Sequence, residues 1–321
     1  MKLIFQPEGM LIGTQENREA VSSLGTLERA WANGTIVEGM ATFCDSDLRL
    51  HVDLGGFHGI MEPDDAVLCR GGETRKDIAI ITRVGKPVAA RIVSIERQNG
   101  APLIRLSRRA AQRDCLDELV RTLRPGDLIP AKVTHLEPFG AFLDIGCGIA
   151  SLLSVDCISV SRISHPRDRL AVGNLLTVAV KNVEPESGRV YATLRELLGT
   201  WSENAAQFEQ GQTVTGVIRS VENYGIFVEL TPNLAGLAEL RGEDSAERMR
   251  TMIGKGAAVY IKSIIPDRMK IKLVLIDAGF PPPRRPLDYY VDVQSVRHLS
   301  AWTYSPVGAG KLVETRFDEP S

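Results

Sequence analysis

A stretch of twenty residues recurs 85 positions further along the chain, and that repetition constrains the fold more than any other feature. Residues 126–145 run from Gly126-Asp127-Leu128 to Leu143-Asp144-Ile145, and residues 211–230 run from Gly211-Gln212-Thr213 to Val228-Glu229-Leu230. Gly126 matches Gly211, Glu137 matches Glu222, Gly140 matches Gly225 and Phe142 matches Phe227, with apolar positions matching apolar ones between them. A fixed-period repeat of this size means that one supersecondary module has been copied.

Each copy follows one pattern. Alternating apolar residues after the opening Gly (Ile129, Ala131, Val133; Val214, Gly216, Ile218) give the period-2 signature of a half-buried strand. A turn follows at Glu137-Pro138 and Glu222-Asn223, then an aromatic, a Gly, a small or aliphatic residue and a Phe entering a second strand. Later strands open after Val172-Gly173 and Ile253-Gly254, turn at Pro185 and Pro266, and end at Val190 to Leu194 and Ile271 to Leu275. Five short strands in about 70 residues, with no amphipathic helix expected among them, indicate a small closed barrel of the oligonucleotide-binding (OB) type.

The chain has room for about three such modules. A worn first copy begins at Gly34-Thr35-Ile36, with Leu48 to Gly55 where the aromatic strand should stand and Leu103 to Ser107 closing it. The expected fold is mainly β: three tandem five-stranded OB barrels joined by short helices. The divisions are an N-terminal helical segment (1–33), a degenerate barrel (34–107), an Arg-rich linker helix (108–124), a barrel (125–195), a linker helix (196–210), a barrel (211–278) and an aromatic, Pro-rich tail (279–321). Thr14 to Asn33 reads as one helix. Tyr289, Tyr290, Trp302 and Tyr304 argue that the tail packs back on the last barrel.

Composition narrows the function. Hydrophobic residues at 44% suffice for folded cores, and 38 Lys plus Arg against 40 Asp plus Glu leave the chain near neutral, which argues against a strongly electrostatic nucleic-acid binder. The balance holds within the repeats: seven basic and seven acidic residues in 126–195, nine and eight in 211–277. Five cysteines, none in a Cys-x-x-Cys pair, suit reduced thiols, and neither a signal peptide nor an apolar stretch of membrane length is read; a soluble cytoplasmic protein is expected. Cys147 and Cys157 with His135 and His165 match no common zinc spacing, so no metal or cofactor is expected. No catalytic motif is present, and the protein reads as non-enzymatic.

The second copy, with Pro-Phe-Gly-Ala-Phe-Leu-Asp-Ile-Gly at 138–146, then Gly148-Ile149-Ala150-Ser151-Leu152-Leu153-Ser154 and Gly188-Arg189-Val190, resembles the S-one (S1) RNA-binding domain. The third copy resembles it through Tyr-Gly-Ile-Phe-Val-Glu-Leu at 224–230 and Gly236-Leu237-Ala238-Glu239. The resemblance is specific over 126–195 and 211–277 and weaker over 34–107. It implies a protein like ribosomal protein S1, with a binding face carrying Phe139 and Phe142, and Tyr224 and Phe227. The family's acid and Arg of the last turn fall on Glu184 and Arg189, and on Ile265 and Lys270.

Stacking on such rings stabilises a base by about 1–3 kcal/mol whatever its identity. Arg189, Lys181, Lys262 and Lys270 are the candidate phosphate contacts. Lys132 and His135 on the first strand of the second copy, Arg162 and His165 in its long loop, and Arg219 in the third copy complete the candidate set. Arg108, Arg109, Arg113, Arg121 and Arg124 form either a phosphate-contacting stripe or a solvated helix face. The expected function is single-stranded RNA binding, to messenger or ribosomal RNA, in the translation apparatus, with the small ribosomal subunit as partner and no membrane. A second reading makes the barrels docking scaffolds for the ribosome or RNA polymerase. The family's third-strand His is replaced by Glu62, Ser154 and Glu239, and the first copy has Leu48 and His51 in place of both aromatics. A third reading is regulation of RNA turnover or transcription, which rests on fold analogy alone.

Overall fold

The structure, a computed structural model, describes residues 5–69, 74–98, 100–240, 246–283 and 287–318. Parts of the expected N-terminal segment (1–4), first barrel (70–73 and 99), third barrel (241–245) and tail (284–286 and 319–321) lie outside the described residues.

The N-terminal segment holds α1 (Gln15–Ala20) and α2 (Leu24–Ala32) rather than one helix. Ser23 is the reason. It caps α2 by accepting from the Thr26 amide at 3.2 Å while its own amide donates to Thr26 Oγ1 at 3.0 Å, so the chain restarts there. The first barrel comprises β1 (Ile36–Cys44), β2 (Leu50–Leu54), β3 (Phe57–Met61), β4 (Pro87–Gln98) and β5 (Ala101–Ser107), with α3 (Asp77–Ile81) between β3 and β4. Next come α4 (Arg108–Thr122) and a second barrel of β6 (Leu128–Glu137), β7 (Gly140–Asp144), β8 (Ala150–Ser154), β9 (Leu175–Glu184) and β10 (Arg189–Thr193). After α5 (Trp201–Ala205), the third barrel comprises β11 (Thr213–Glu222), β12 (Gly225–Thr231), β13 (Leu234–Ala238), β14 (Gly256–Ile265) and β15 (Lys270–Phe280), with α6 (Ala246–Arg250) after β13. The tail forms a small sheet of β16 (Ala301–Thr303) and β17 (Glu314–Arg316).

All three barrels close with the same topology, β1-β2-β3-β5-β4 in the first. The third strand runs parallel to the fifth (β3 with β5, β8 with β10, β13 with β15) and the other neighbours are antiparallel. The first strand of each barrel is bulged against the second at one equivalent place, before Phe43, His135 and Ser220. A bulge bends the strand and re-aims the following side chain. Each barrel has its own core, centred on Val52, Ile104 and Leu106 in the first, Leu143, Val178 and Val190 in the second, and Val228, Val259 and Leu273 in the third.

Two expectations are corrected here. Short helices do stand inside barrels one and three (α3 and α6), while the second barrel makes the same crossing with 3-10 turns at Val155–Cys157 and Pro166–Asp168. The stretch 196–210 is not one linker helix but a 3-10 turn (Arg195–Leu197) and the five-residue α5. Gly199 at φ +84° breaks the path, and Thr200 restarts it through a capping box with Glu203.

The barrels are tied to one another by buried polar contacts. Between the first and second, the Glu8 carboxylate accepts from Arg108 Nε at 2.6 Å and Nη2 at 2.9 Å, from the Ala89 amide at 3.2 Å and from Arg83 at 3.4 Å. The Glu8 amide donates to Asp144 at 2.7 Å. Burial acts to raise the Glu8 carboxyl, but Arg108 and Arg83 outweigh it and hold it below its ordinary value. Asp144 is pushed up to about 6 by burial and by the neighbouring Glu8 charge. Between the second and third barrels, Glu229 accepts from Arg219 at 2.7 Å and also pairs with Arg169. Asn233 accepts from the Val160 amide at 2.9 Å and donates to Arg195 and Gly199 carbonyls, both at 2.8 Å.

The tail packs on two barrels rather than on the last alone. Trp302 and Tyr304 join the third core, and Phe317 buries against Leu128, Ala179 and Leu197 of the second-barrel region. A third anchor is polar. β10 stops pairing with β9 at Ala179, and the Thr177 amide beyond it donates to the Tyr289 hydroxyl at 2.9 Å.

Candidate nucleic-acid interface

The second barrel turns an aromatic strip outward across four strands. The bulge before His135 brings it opposite Phe142, Phe142 lies opposite Leu152, and Leu152 lies beside Tyr191. His135 is exposed and the other three are half-buried, while Leu143, Leu153, Val190 and Ala192 face inward. Strand alternation from Phe139 would place it and Phe142 on opposite faces. The structure puts Phe139 in the turn ahead of β7, so its ring meets Phe142 edge to face at 6.0 Å and 90°. Phe139 remains 55% exposed, and the Phe142 ring lies 6.4 Å from His135. Gly140 between the two rings lets strands approach: a Cβ there would sit 2.6 Å from the Leu153 carbonyl oxygen.

The third barrel repeats this geometry. Tyr224 occupies the turn, 63% exposed, and meets Phe227 at 6.3 Å and 87°. Phe227 is flanked by Ser220 and Leu237, and Leu237 lies beside Lys272. A Cβ on Gly225 would sit 2.7 Å from the Ala238 carbonyl oxygen, the same constraint as at Gly140.

The candidate cations divide into exposed and occupied groups. Arg189 and Lys270 stand exposed at the starts of β10 and β15, and Lys262 is exposed on β14. Arg162 is exposed in the long loop, whereas His165 caps the turn at Pro166 by accepting from the Arg167 amide at 3.1 Å. His135 contacts Glu137 at 2.7 Å. Three side chains are turned to other work: Arg219 to Glu229 and Asp168, Lys132 to the Glu8 carbonyl at 2.8 Å, and Lys181 to Cys157 Sγ at 3.2 Å. Nor does the stretch 108–124, α4 and the residues just after it, present a full stripe of arginines. Arg108 is buried against Glu8, Arg109 pairs with Asp65 and Arg121 with Glu118, leaving Arg113 and Arg124 exposed without an ion pair among the described residues.

The first barrel is not bare of aromatics on this face. Phe43, at the bulge position held by His135 in the second barrel, stacks on His51 at 4.0 Å and 11°, with His58 stacked beyond at 5.1 Å. The order is inverted, with the phenyl ring on the first strand and the imidazole on the second, so scanning the second strand alone missed it. His51 Nδ1 and His58 Nε2 share a hydrogen bond of 2.8 Å, and Asp45 lies 3.2 Å from His51 Nε2. Arg105, the counterpart of Tyr191 and Lys272, is held by Glu62 at 2.5 Å and by Glu96. Tyr191 and Lys272 were legible through alternation, each lying between residues that face the core.

Three tandem OB barrels, two of them bearing an edge-to-face aromatic pair with an exposed outer ring, form a repeat of S1-like barrels. Residues 122–195 match the family described as the S1 RNA binding domain. Small ribosomal subunit protein bS1 of Staphylococcus aureus (strain COL) is 29% identical over 161 residues, covering 49% of this chain and 40% of that protein. The bS1 protein of Leuconostoc lactis is 29% identical over 197 residues, covering 59% and 45%. The chain thus spans less than half the length of these curated relatives. A solved multidomain protein with nucleic acid binding domains from Streptococcus pneumoniae aligns over 77% of this chain and 75% of its own, at 14% identity and a TM-score of 0.24.

Proposed function

We propose that this protein binds single-stranded RNA by stacking bases on the aromatic faces of its second and third barrels, and that it acts with the small ribosomal subunit. The observation that carries this reading is the repeated pair, Phe139 with Phe142 and Tyr224 with Phe227, each with its outer ring more than half exposed. An exposed ring of that size adds little to the barrel's stability but offers a face to a base. The match of 122–195 to the S1 RNA binding domain and the likeness to bS1 proteins support the same reading. Exposed Arg189, Lys262 and Lys270 are suited to the phosphates, and the two barrels, joined by buried contacts, present two weak sites at high effective concentration.

One measurement tests the stacking. Fluorescence anisotropy of a labelled single-stranded RNA of mixed sequence is titrated with wild type, Phe139→Ala/Phe142→Ala, Tyr224→Ala/Phe227→Ala and Leu48→Ala. Losing a stacked base costs about 1–3 kcal/mol, so each double variant should bind about 5- to 150-fold more weakly. Leu48→Ala should bind like wild type. Equal losses from all three variants would sink the assignment of roles. The docking-scaffold reading draws on the first barrel, where Asp45, Glu62 and Glu96 surround the strip.

A further inference from the structure

A cleft of about 1030 Å³ separates the first and second barrels, at the upper end of the range of small-molecule pockets (~300–1,000 Å³). One margin is the second barrel's own strip, with Phe142, Leu152 and Tyr191 among its lining. The opposite wall belongs to the first barrel, where Arg83 and Lys86 follow α3. The lining carries five basic residues against three acidic ones, in a chain with a formal net charge of −2.

The charge left accessible to solvent is also positive. Glu8 is neutralised by Arg108 and Arg83, and the Asp144 carboxylate is covered by three backbone amides, from Glu8, Gly146 and Gly148. What remains towards solvent is Lys86 on one side and Arg189 on the other, both exposed and without an ion pair among the described residues, against the single exposed acid Glu186. Two unpaired cations, carried by different barrels and facing one cleft beside an aromatic strip, suit a polyanion that leaves the strip and runs between the barrels.

We propose that this cleft takes the phosphodiester backbone of the strand whose bases stack on Phe139 and Phe142, with Lys86 of the first barrel as a phosphate contact. The first barrel then contributes to RNA binding as the far wall of the second barrel's site. The inference rests on the RNA-binding reading above, and the test separates the two.

The test is the salt dependence of binding in the full chain, measured with the same labelled RNA on wild type, Lys86→Ala, Lys86→Arg and Arg97→Ala, the last an exposed cation outside the cleft lining. For single strands the slope of log K against log salt changes by about 0.7 per phosphate contact, equivalent to roughly fivefold in affinity at about 0.1 M salt. Lys86→Ala should flatten the slope by about that amount and weaken binding about fivefold. Lys86→Arg should restore both, and Arg97→Ala should match wild type. A Lys86→Ala slope equal to wild type, in a protein that still loses RNA on Phe139→Ala/Phe142→Ala, overturns the cleft and leaves the stacking site standing. Wild type that binds no RNA overturns both.

Discussion

Removing the Glu8 carboxylate tests how the first two barrels are held together. Its side chain is 7% exposed and that of Arg108 is 4%, and the two form a bidentate pair at 2.6 and 2.9 Å. In Glu8→Ala the guanidinium stays buried with the Ala66 carbonyl at 3.3 Å as its one remaining hydrogen-bond acceptor among the described residues, and the Ala89 amide loses its acceptor. Breaking one side of a buried pair in this way costs about 3–5 kcal/mol, because an uncompensated charge is left inside. The assay is equilibrium urea unfolding followed by circular dichroism, with the loss expected in the first transition, where the barrels part. Replacing both partners with apolar residues, Glu8→Met with Arg108→Met, should cost much less than Glu8→Ala, since no buried charge remains. The pH dependence has a definite sign. Glu8 is held below its ordinary value of 4.5, so its stabilisation is fully present above that value and is lost as pH falls through the folded value. Asp144, pushed up to about 6, acts oppositely: the folded protein binds its proton more tightly, so that contribution declines as pH rises from about 4 to about 6. A Glu8→Ala variant within about 1 kcal/mol of wild type, or a double variant as unstable as the single, would refute this reasoning.

Two further perturbations address the tail and the repeat. His298 contacts Asp127 at 2.9 Å and Asp318 at 3.0 Å, and the hydrogen bond to Asp127 raises its pKa above 6.5. Its stabilisation of the tail is present below that value and lost as pH rises through the folded value, so the urea midpoints of wild type and His298→Asn should differ at pH 6 and converge as the solution becomes alkaline. Gly140→Ala, whose methyl group would meet the Leu153 carbonyl oxygen at 2.6 Å, should destabilise the second barrel by about 1–3 kcal/mol in thermal unfolding, and Gly225→Ala should do the same in the third.

The repeat exposed the barrels because it is local: alternation and a shared Gly-x-Phe are written in consecutive residues. Phe139 shows where local reading strained, since only its place in the turn lets it share a face with Phe142. Phe43 was passed over because its role depends on a bulge that turns it onto His51, and a bulge leaves no mark in the sequence pattern. The Glu8–Arg108 pair joins positions 100 residues apart and looks in sequence like two surface charges. Likewise, Arg219 reads as a cation for phosphate but is drawn inward by Glu229, which also pairs with Arg169 of the neighbouring barrel, a contact that alternation alone does not predict. The Arg195–Gln210 stretch shows the converse, where helix-forming composition yields to Gly199 and the Thr200 cap.

Ultraviolet crosslinking of the intact protein to a single-stranded RNA of roughly 12 nucleotides, within the ~4–16 that one OB fold occupies, tests the central claim most directly. After digestion, crosslinked nucleotides should be found on the peptides carrying Phe139 and Phe142 and on those carrying Tyr224 and Phe227. Crosslinks confined to the tail or to the exposed face of α4, or none under conditions where the RNA is bound, would contradict it.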